Sequence, residues 1–300
     1  MMVAMNTHAW HGELRRNEPM SQHTSWRVGG PADQFYRPNS IADLAAFLRE
    51  SDTRQPLVWI GLGSNVLVRD GGIRGIVIFT VGCLDQIESL GNTRVRVEAG
   101  VTSAKVARFC GRQDLHGSEF LAGIPGSMGG ALAMNAGAFG SETWQIVESV
   151  ETLDRQGNLH QRTADDFDIS YRHVGGIEDE WFVSATIKLE HGISEESRSR
   201  VRAWLDKRNQ SQPIGTANAG SVFKNPPHDH AARLIESCGL KGYCHGNACV
   251  SDKHANFILN KGGASSADIE YLIGYVRERV AEDTGVSLEP EVRIIGVAAA

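Results

Sequence analysis

The chain has 300 residues, of which 41% are hydrophobic and 22% charged. That balance closes a sizeable core and fits one large domain or two to three ordinary ones. A formal charge of -6 excludes attachment to nucleic acid or to an anionic membrane by bulk charge, so a phosphate-bearing ligand needs a local basic pocket.

Residues 1–20 contain no apolar core of a signal peptide, and no stretch approaches the roughly 18 apolar residues of a membrane span. Both readings point to the cytoplasm. The five cysteines, Cys83, Cys110, Cys238, Cys244 and Cys249, are odd in number and form no C-x-x-C pair. They read as free thiols in a reducing compartment. Cys244, His245, Cys249 and His254 fit no common zinc spacing, so no metal is expected. Glycine is in excess, with 33 residues where about 7% is usual. The glycines cluster at 61–63, 71–75, 123–130 and 137–140, as ligand-binding loops require.

In chain order, Ser40 and Asp43 cap a helix whose apolar face is Ile41, Leu44, Ala45 and Leu48. Strands are expected at 57–60, 66–68, 75–81 and 94–98, and a helix from Thr102 to about Gln113. The segment 117–140 is rich in small residues and reads either as a close-packed helix pair or as backbone pressed on a cofactor. Strands at 146–153 and 181–190 follow, the first closed by a turn at Arg155–Asn158. Composition then changes: residues 193–210 are charged and helical, a connector into a second unit. There we expect a strand at 221–224, a helix near 229–238, a strand at 256–259, a helix at 266–284 and a strand at 292–295. Ser265 and Asp268 cap that last helix, and Gly285 stops it. The whole is α+β: a glycine-rich mixed domain to about 190 and a smaller α/β domain after it.

Two loops carry candidate chemistry. Gly61-Leu62-Gly63-Ser64-Asn65 follows a strand directly, and its glycines let successive N–H groups converge on a pyrophosphate. It lacks the third glycine and the helix of a dinucleotide fingerprint. In Gly123-Ile124-Pro125-Gly126-Ser127-Met128-Gly129-Gly130 the proline fixes one φ while the glycines free others. A helix-like run from Gly130 to Ala136 would present N-terminal donors to an anion. Two such loops suit one ligand with two phosphates or a long cofactor.

With these loops, further blocks resemble the UDP-N-acetylenolpyruvoylglucosamine reductase family. They are His23–Ala32, Asn135–Ala138, Tyr171-Arg172, Ala219–Pro226, Gly239–Gly242, Ser251–Phe257 and Leu288–Arg293. They stand in family order from about 19 to 297. The resemblance implies a vanillyl-alcohol-oxidase-type (PCMH-type) FAD-binding domain of two subdomains at 20–190, plus a substrate-binding domain at 195–300. The length resembles the short form of the family, which lacks a tyrosine-bearing loop over the substrate.

It also implies a reaction. NADPH reduces non-covalently bound FAD, flavin N5 passes hydride to the terminal enolpyruvyl carbon of UDP-N-acetylglucosamine enolpyruvate, and Ser221 donates the proton. Arg172 would stabilise the enolate-like charge and Glu291 would position the carboxylate or relay a proton. The resemblance assigns FAD to Arg27, Gly61, Gly63, Ser64, Asn65, Gly123, Ile124, Pro125, Gly126, Ser127, Gly129, Gly130, Asn135 and Gly137. It assigns substrate to Asn225, Lys241 and His254, with Arg208 and Arg293 as further cations. Cys244–Asn247 departs from the family pattern. Two other readings stay open: an FAD oxidase or dehydrogenase of the same fold acting on a hydroxylated small molecule, although no His or Cys in 123–140 offers covalent linkage, and a nucleotide-binding regulatory module without turnover.

Overall fold

A computed structural model of the chain describes residues 8–299, so part of the 1–20 stretch read above lies outside the described residues. The first half is built from β1 (Glu13–Pro19), β2 (Pro31–Arg37), α1 (Ile41–Glu50), β3 (Leu57–Ile60), β4 (Val66–Val68) and β5 (Ile73–Phe79). Four strands form a sheet in the order β1-β2-β5-β3, with β2 and β3 parallel to β5. Parallel neighbours need a crossover, and α1 supplies it between β2 and β3. The Ser40 hydroxyl accepts the Asp43 N–H at 3.1 Å, as its capping sequence predicts. Leu44, Ala45, Phe47 and Leu48 then bury against Tyr36, Ile76 and Ile78 of the sheet.

A second sheet follows, of β6 (Ile87–Gly91), β7 (Arg94–Glu98), β8 (Val147–Asp154), β9 (Leu159–Arg162) and β10 (Glu180–Lys188). Its order is β9-β8-β10-β7-β6 and every pairing is antiparallel. Val95 and Val97 alternate inward as predicted and meet α2 (Ser103–Arg112) and the short α3 (Met128–Ala133) in a core with Phe120, Leu132 and Phe182. Leu153 and Val183 reach the α1 cluster, and Trp59 stacks on Trp181 at 5.3 Å, joining the two sheets.

The second unit holds α4 (Ser194–Ser211), α5 (Ala231–Ser237), β11 (Cys244–His245), β12 (Ala248–Val250), β13 (Ile258–Asn260), α6 (Ser266–Thr284) and β14 (Arg293–Ile295). Strands β11-β12-β13 form one small sheet. Its cover, α6, starts at the expected capping box of Ser265 and Asp268 and ends at Gly285 with φ 75°. Ile269, Leu272, Ile273, Val276 and Val280 pack inward, and the same core takes in Trp26, Val28 and Leu67 from the first half. The last strand leaves its own unit altogether: β14 pairs in parallel with β4, Arg293 opposite Val66.

Four readings from sequence are corrected. Residues 221–224 form no ladder beyond a single bridge of Phe223 with Pro290, because their backbone bonds go to irregular partners: Val222 N–H to Asn256 O, Phe223 N–H to the Asn256 side chain, and Lys224 N–H to Glu289 O. The helix expected from Gly130 begins at Met128 and has six residues. The charged helix α4 is no free connector; it lies along the first half through Ser197, which donates to Glu119 at 2.7 Å, and Arg200, which donates to His116 at 2.9 Å. Finally, Cys244 and Cys249 are not free thiols. They face each other across β11 and β12, Cα atoms 4.1 Å apart, and form a disulfide. Spacing could not reveal this, because it depends on a hairpin register. Among the described residues, no group of His, Cys, Asp and Glu could hold a metal, and no helix is long and apolar enough to cross a membrane.

Two outcomes are expected. Trp26 is fully buried across the junction and donates its indole N–H to Ile258 O at 2.7 Å. Trp26→Ala should therefore lower the unfolding free energy by about 3–5 kcal/mol in urea titrations. Alkylation of the unfolded, unreduced protein followed by mass analysis should label Cys83, Cys110 and Cys238 and leave Cys244 and Cys249 unlabelled.

Candidate active site

The loop after β3 is shaped by close approaches. Gly63 has φ 66°, and a Cβ there would strike the carbonyl oxygen of His23; a Cβ on Gly61 would strike Ser127 Oγ. At Gly63 the backbone clash and the positive φ demand glycine, whereas at Gly61 a Cβ would require the Ser127 hydroxyl to move. Ser25 N–H donates to Gly63 O at 3.0 Å, so the His23–Ala32 block serves as the loop's backing. Among the described residues, no backbone carbonyl accepts from the N–H groups of residues 62–65. Four successive main-chain donors are thus left for a ligand. Asn65 joins the halves: its side chain donates to Glu291 O at 3.0 Å, and its own carbonyl accepts the Arg293 N–H at 3.0 Å.

The second loop works differently from the sequence reading. The first donors of α3 are consumed internally: Met128 N–H by Val101 O at 2.8 Å, Gly129 N–H by Ala99 O at 2.9 Å, and Gly130 N–H by Ser127 Oγ at 3.5 Å. The helix start is therefore no anion site. What the loop offers is bare backbone at Gly123–Gly126, opposite Ser64.

Between these loops and the second unit runs a cleft of about 520 Å³. Gly61, Gly63, Ser64, Asn65, Gly123, Ile124, Pro125, Gly126, Ser127, Gly130 and Gly137 line it, as do Arg172, Arg208, Ser221, Asn225, Glu291 and Arg293. Three distant stretches thus deliver the expected guanidinium, hydroxyl and carboxyl to one cleft. Arg172 sits in the left-handed region, φ 55°, and donates from Nη2 to Gly137 O at 2.9 Å and from Nη1 to Asn135 O at 3.4 Å. Its Nε lies 3.1 Å from Glu291 Oε1, although the N–H is not aimed along that line. Glu291 in turn hangs from the backbone bond of its N–H to Val222 O at 2.7 Å, one residue from Ser221. Burial raises the Glu291 pKa above the usual carboxylate value, with Arg172 and Lys224 opposing that rise.

Five expected site residues are not brought to the cleft. Arg27 is exposed on the far side of its turn. Gly129 is pressed onto Ala99, which explains the glycine without a ligand. Asn135 is buried, its side chain bonded to Glu142, Ser170 O and Trp144 N–H, and it holds the carbonyl that Arg172 grips. Lys241 pairs with Glu236 at 2.9 Å. His254 packs behind Phe257, which does line the cleft, with ring centroids 4.8 Å apart. Asn225 lines the cleft while its Oδ1 accepts the first N–H of α5.

Sequence reading missed Lys207, Ser211 and Gln212, which reach the cleft from the end of α4, and Phe139, Met134 and Phe257. The spacing of Arg208 and Gln212, one helical turn apart, was the available signal. Arg208 donates to Gln212 at 2.8 Å and to Gly123 O at 2.7 Å, and burial lowers its pKa with no acid to offset it. A half-buried cation without a carboxylate suits an anionic ligand. The cleft fits FAD in its chemistry: glycine backbone where a Cβ would intrude, unpaired N–H donors for a pyrophosphate, and apolar walls.

Comparison with known proteins agrees. A family model described as an FAD binding domain matches residues 32–162, and one described as the UDP-N-acetylenolpyruvoylglucosamine reductase C-terminal domain matches 212–295. The UDP-N-acetylenolpyruvoylglucosamine reductase of Alkalilimnicola ehrlichii is 56% identical over 297 residues, 99% of each chain. That of Methylococcus capsulatus is 56% identical over 289 residues, covering 96% of this chain and 95% of its own. The crystal structure of UDP-N-acetylenolpyruvylglucosamine reductase from Thermus caldophilus superposes with a TM-score of 0.81 at 31% identity, over 95% of this chain and 98% of that one. The α+β architecture is accordingly a PCMH-type FAD-binding domain with a smaller α/β domain. With cleft, loops and likeness in agreement, the chain belongs to the UDP-N-acetylenolpyruvoylglucosamine reductase family of flavin-dependent oxidoreductases.

Proposed function

We propose that the chain reduces UDP-N-acetylglucosamine enolpyruvate to UDP-N-acetylmuramate, with NADPH as reductant, in cytoplasmic peptidoglycan synthesis. Residues 20–190 are read as the FAD-binding domain and 195–300 as the substrate-binding domain. The observation that carries this reading is that Arg172 and Glu291, 3.1 Å apart, line the same glycine-rich cleft as Ser221.

Bound FAD supplies the hydride relay between NADPH and the enolpyruvyl double bond. The protein handles the charge and the proton. Once hydride has reached the terminal carbon, negative charge spreads from the adjacent carbon into the carboxylate. Arg172, fixed by two backbone carbonyls, holds a guanidinium where that charge grows, without reorganisation at the moment of reaction. Ser221 Oγ delivers its proton to the carbon that bears the carboxylate. Gly220, with φ 75° and open space around its Cα, keeps that approach clear. Burial raises the Glu291 pKa, and in its protonated form Glu291 relays a proton back to Ser221 as that residue gives up its own. The loop 62–65 donors take the cofactor's pyrophosphate. Arg208, Arg293 and Asn225 are the ligands we assign to the substrate diphosphate.

The assay is NADPH oxidation by the purified yellow protein. It should depend on UDP-N-acetylglucosamine enolpyruvate; oxidation that ignores this substrate and consumes only oxygen would favour the oxidase reading. In stopped-flow experiments Ser221→Ala should leave flavin reduction by NADPH within about twofold and slow reoxidation by substrate roughly 10²–10⁴-fold. Equal slowing of both halves would contradict the assigned role. The pH dependence follows from Glu291. Its folded pKa is raised, so the protonated form persists above the ordinary carboxylate range and is lost as pH rises through the raised value. Reoxidation by substrate should therefore fall on the alkaline side of that pKa, and Glu291→Gln should abolish that limb of the pH–rate profile.

A further inference from the structure

Helix α4 meets the flavin-side half along a single face. Ser197, Arg200, Trp204 and Arg208 recur at three- and four-residue steps, which places them in one stripe. Ser197 and Arg200 bond Glu119 and His116, at the far end of that stripe from the cleft. Arg208 ends the stripe on Gly123 O. Between them, Trp204, the only aromatic residue of α4, stacks on Phe139 with centroids 4.7 Å apart and planes 11° from parallel.

Phe139 is no ordinary packing partner. It lines the cleft, its backbone sits at φ 55°, and its ring lies so close to Gly123 that a Cβ there would collide with it. Trp204 itself does not line the cleft. A chain of contact thus runs from the indole through the Phe139 ring to the first residue of the Gly123–Gly130 loop. A flat, stiff ring pair transmits position better than aliphatic packing because each ring has few rotatable bonds and a preferred offset.

We infer that Trp204 is a positioning residue for the flavin: it seats Phe139 against Gly123 and so fixes the loop that forms one wall of the FAD site. The stripe on α4 then has a division of labour. Its first half docks the helix, and its second half sets the loop and brings Lys207, Arg208, Ser211 and Gln212 to the cleft. The inference rests on the cleft holding FAD.

The test is the rate of FAD release from the holoenzyme, followed by the rise in flavin fluorescence. Trp204→Ala should release FAD about tenfold faster, the factor that one lost aromatic pair converts to. Trp204→Phe should stay within about twofold of the unchanged protein, because it retains a ring. Phe139→Ala should match Trp204→Ala, and the double variant should be no faster than either alone, since both break the same contact. Trp204→Leu, which keeps bulk but not the ring, guards against a misfolded alanine variant and should also release faster. Release at the unchanged rate in both Trp204→Ala and Trp204→Leu, or additive effects in the double variant, would overturn the inference while leaving the flavin reading intact. A parent protein that retains no FAD would remove both.

Discussion

Everything at the proposed chemical centre depends on a contact between the two halves of the chain, that of Arg172 with Glu291. Both side chains are largely buried, with 17% and 15% of their side-chain surface exposed. Two charges withdrawn from water are tolerable only together; removing one leaves the other uncompensated, typically at a cost of ~3–5 kcal/mol. The pair is also asymmetric. Arg172 is held by two carbonyls of its own half, whereas burial pushes Glu291 toward its protonated form. A fixed cation beside a carboxyl of raised pKa is an arrangement suited to developing negative charge that must then be protonated.

That contact exists because the backbone returns. After α6 the chain runs back across the molecule, and β14 pairs with β4 immediately beyond the 61–65 loop. Asn65 closes the junction with two hydrogen bonds, one to Glu291 O and one from Arg293 N–H. The loop we assign to the pyrophosphate and the Glu291–Arg293 segment that leads into β14 are therefore one assembly. Trp26, inserted from the first half into the core of the second, fixes the same junction from the opposite direction. The two sides of the cleft are placed relative to each other by these crossings.

The glycines divide by role once their surroundings are known. Gly63 is bare because the His23 backbone leaves no room, Gly61 because the Ser127 hydroxyl presses on it, and both border the free N–H row. Gly129 is bare because Ala99 presses on it, and its N–H is already spent. The two kinds read identically in sequence. So did the start of α3, whose expected anion-binding donors go to Ala99 and Val101 instead.

The sequence by itself determined whatever is local. The side-chain cap at Ser40, the capping box at Ser265, the apolar stripes of α1 and α6, the stop at Gly285 and the alternation of Val95 and Val97 all depend on neighbours within a turn or a strand, and all were readable. Motif likeness carried Arg172, Ser221 and Glu291, since chemistry constrains residue type at a fixed order along the chain. Only the tertiary structure decided what depends on how segments meet: the Cys244–Cys249 register, the docking of α4, the withdrawal of Arg27, Gly129, Asn135, Lys241 and His254 from the cleft, and the return of β14. The physical reason is that a contact made by folding leaves no periodicity in the chain, whether it joins residues scores of positions apart, as Arg293 to Asn65 does, or only five, as in the Cys244–Cys249 hairpin.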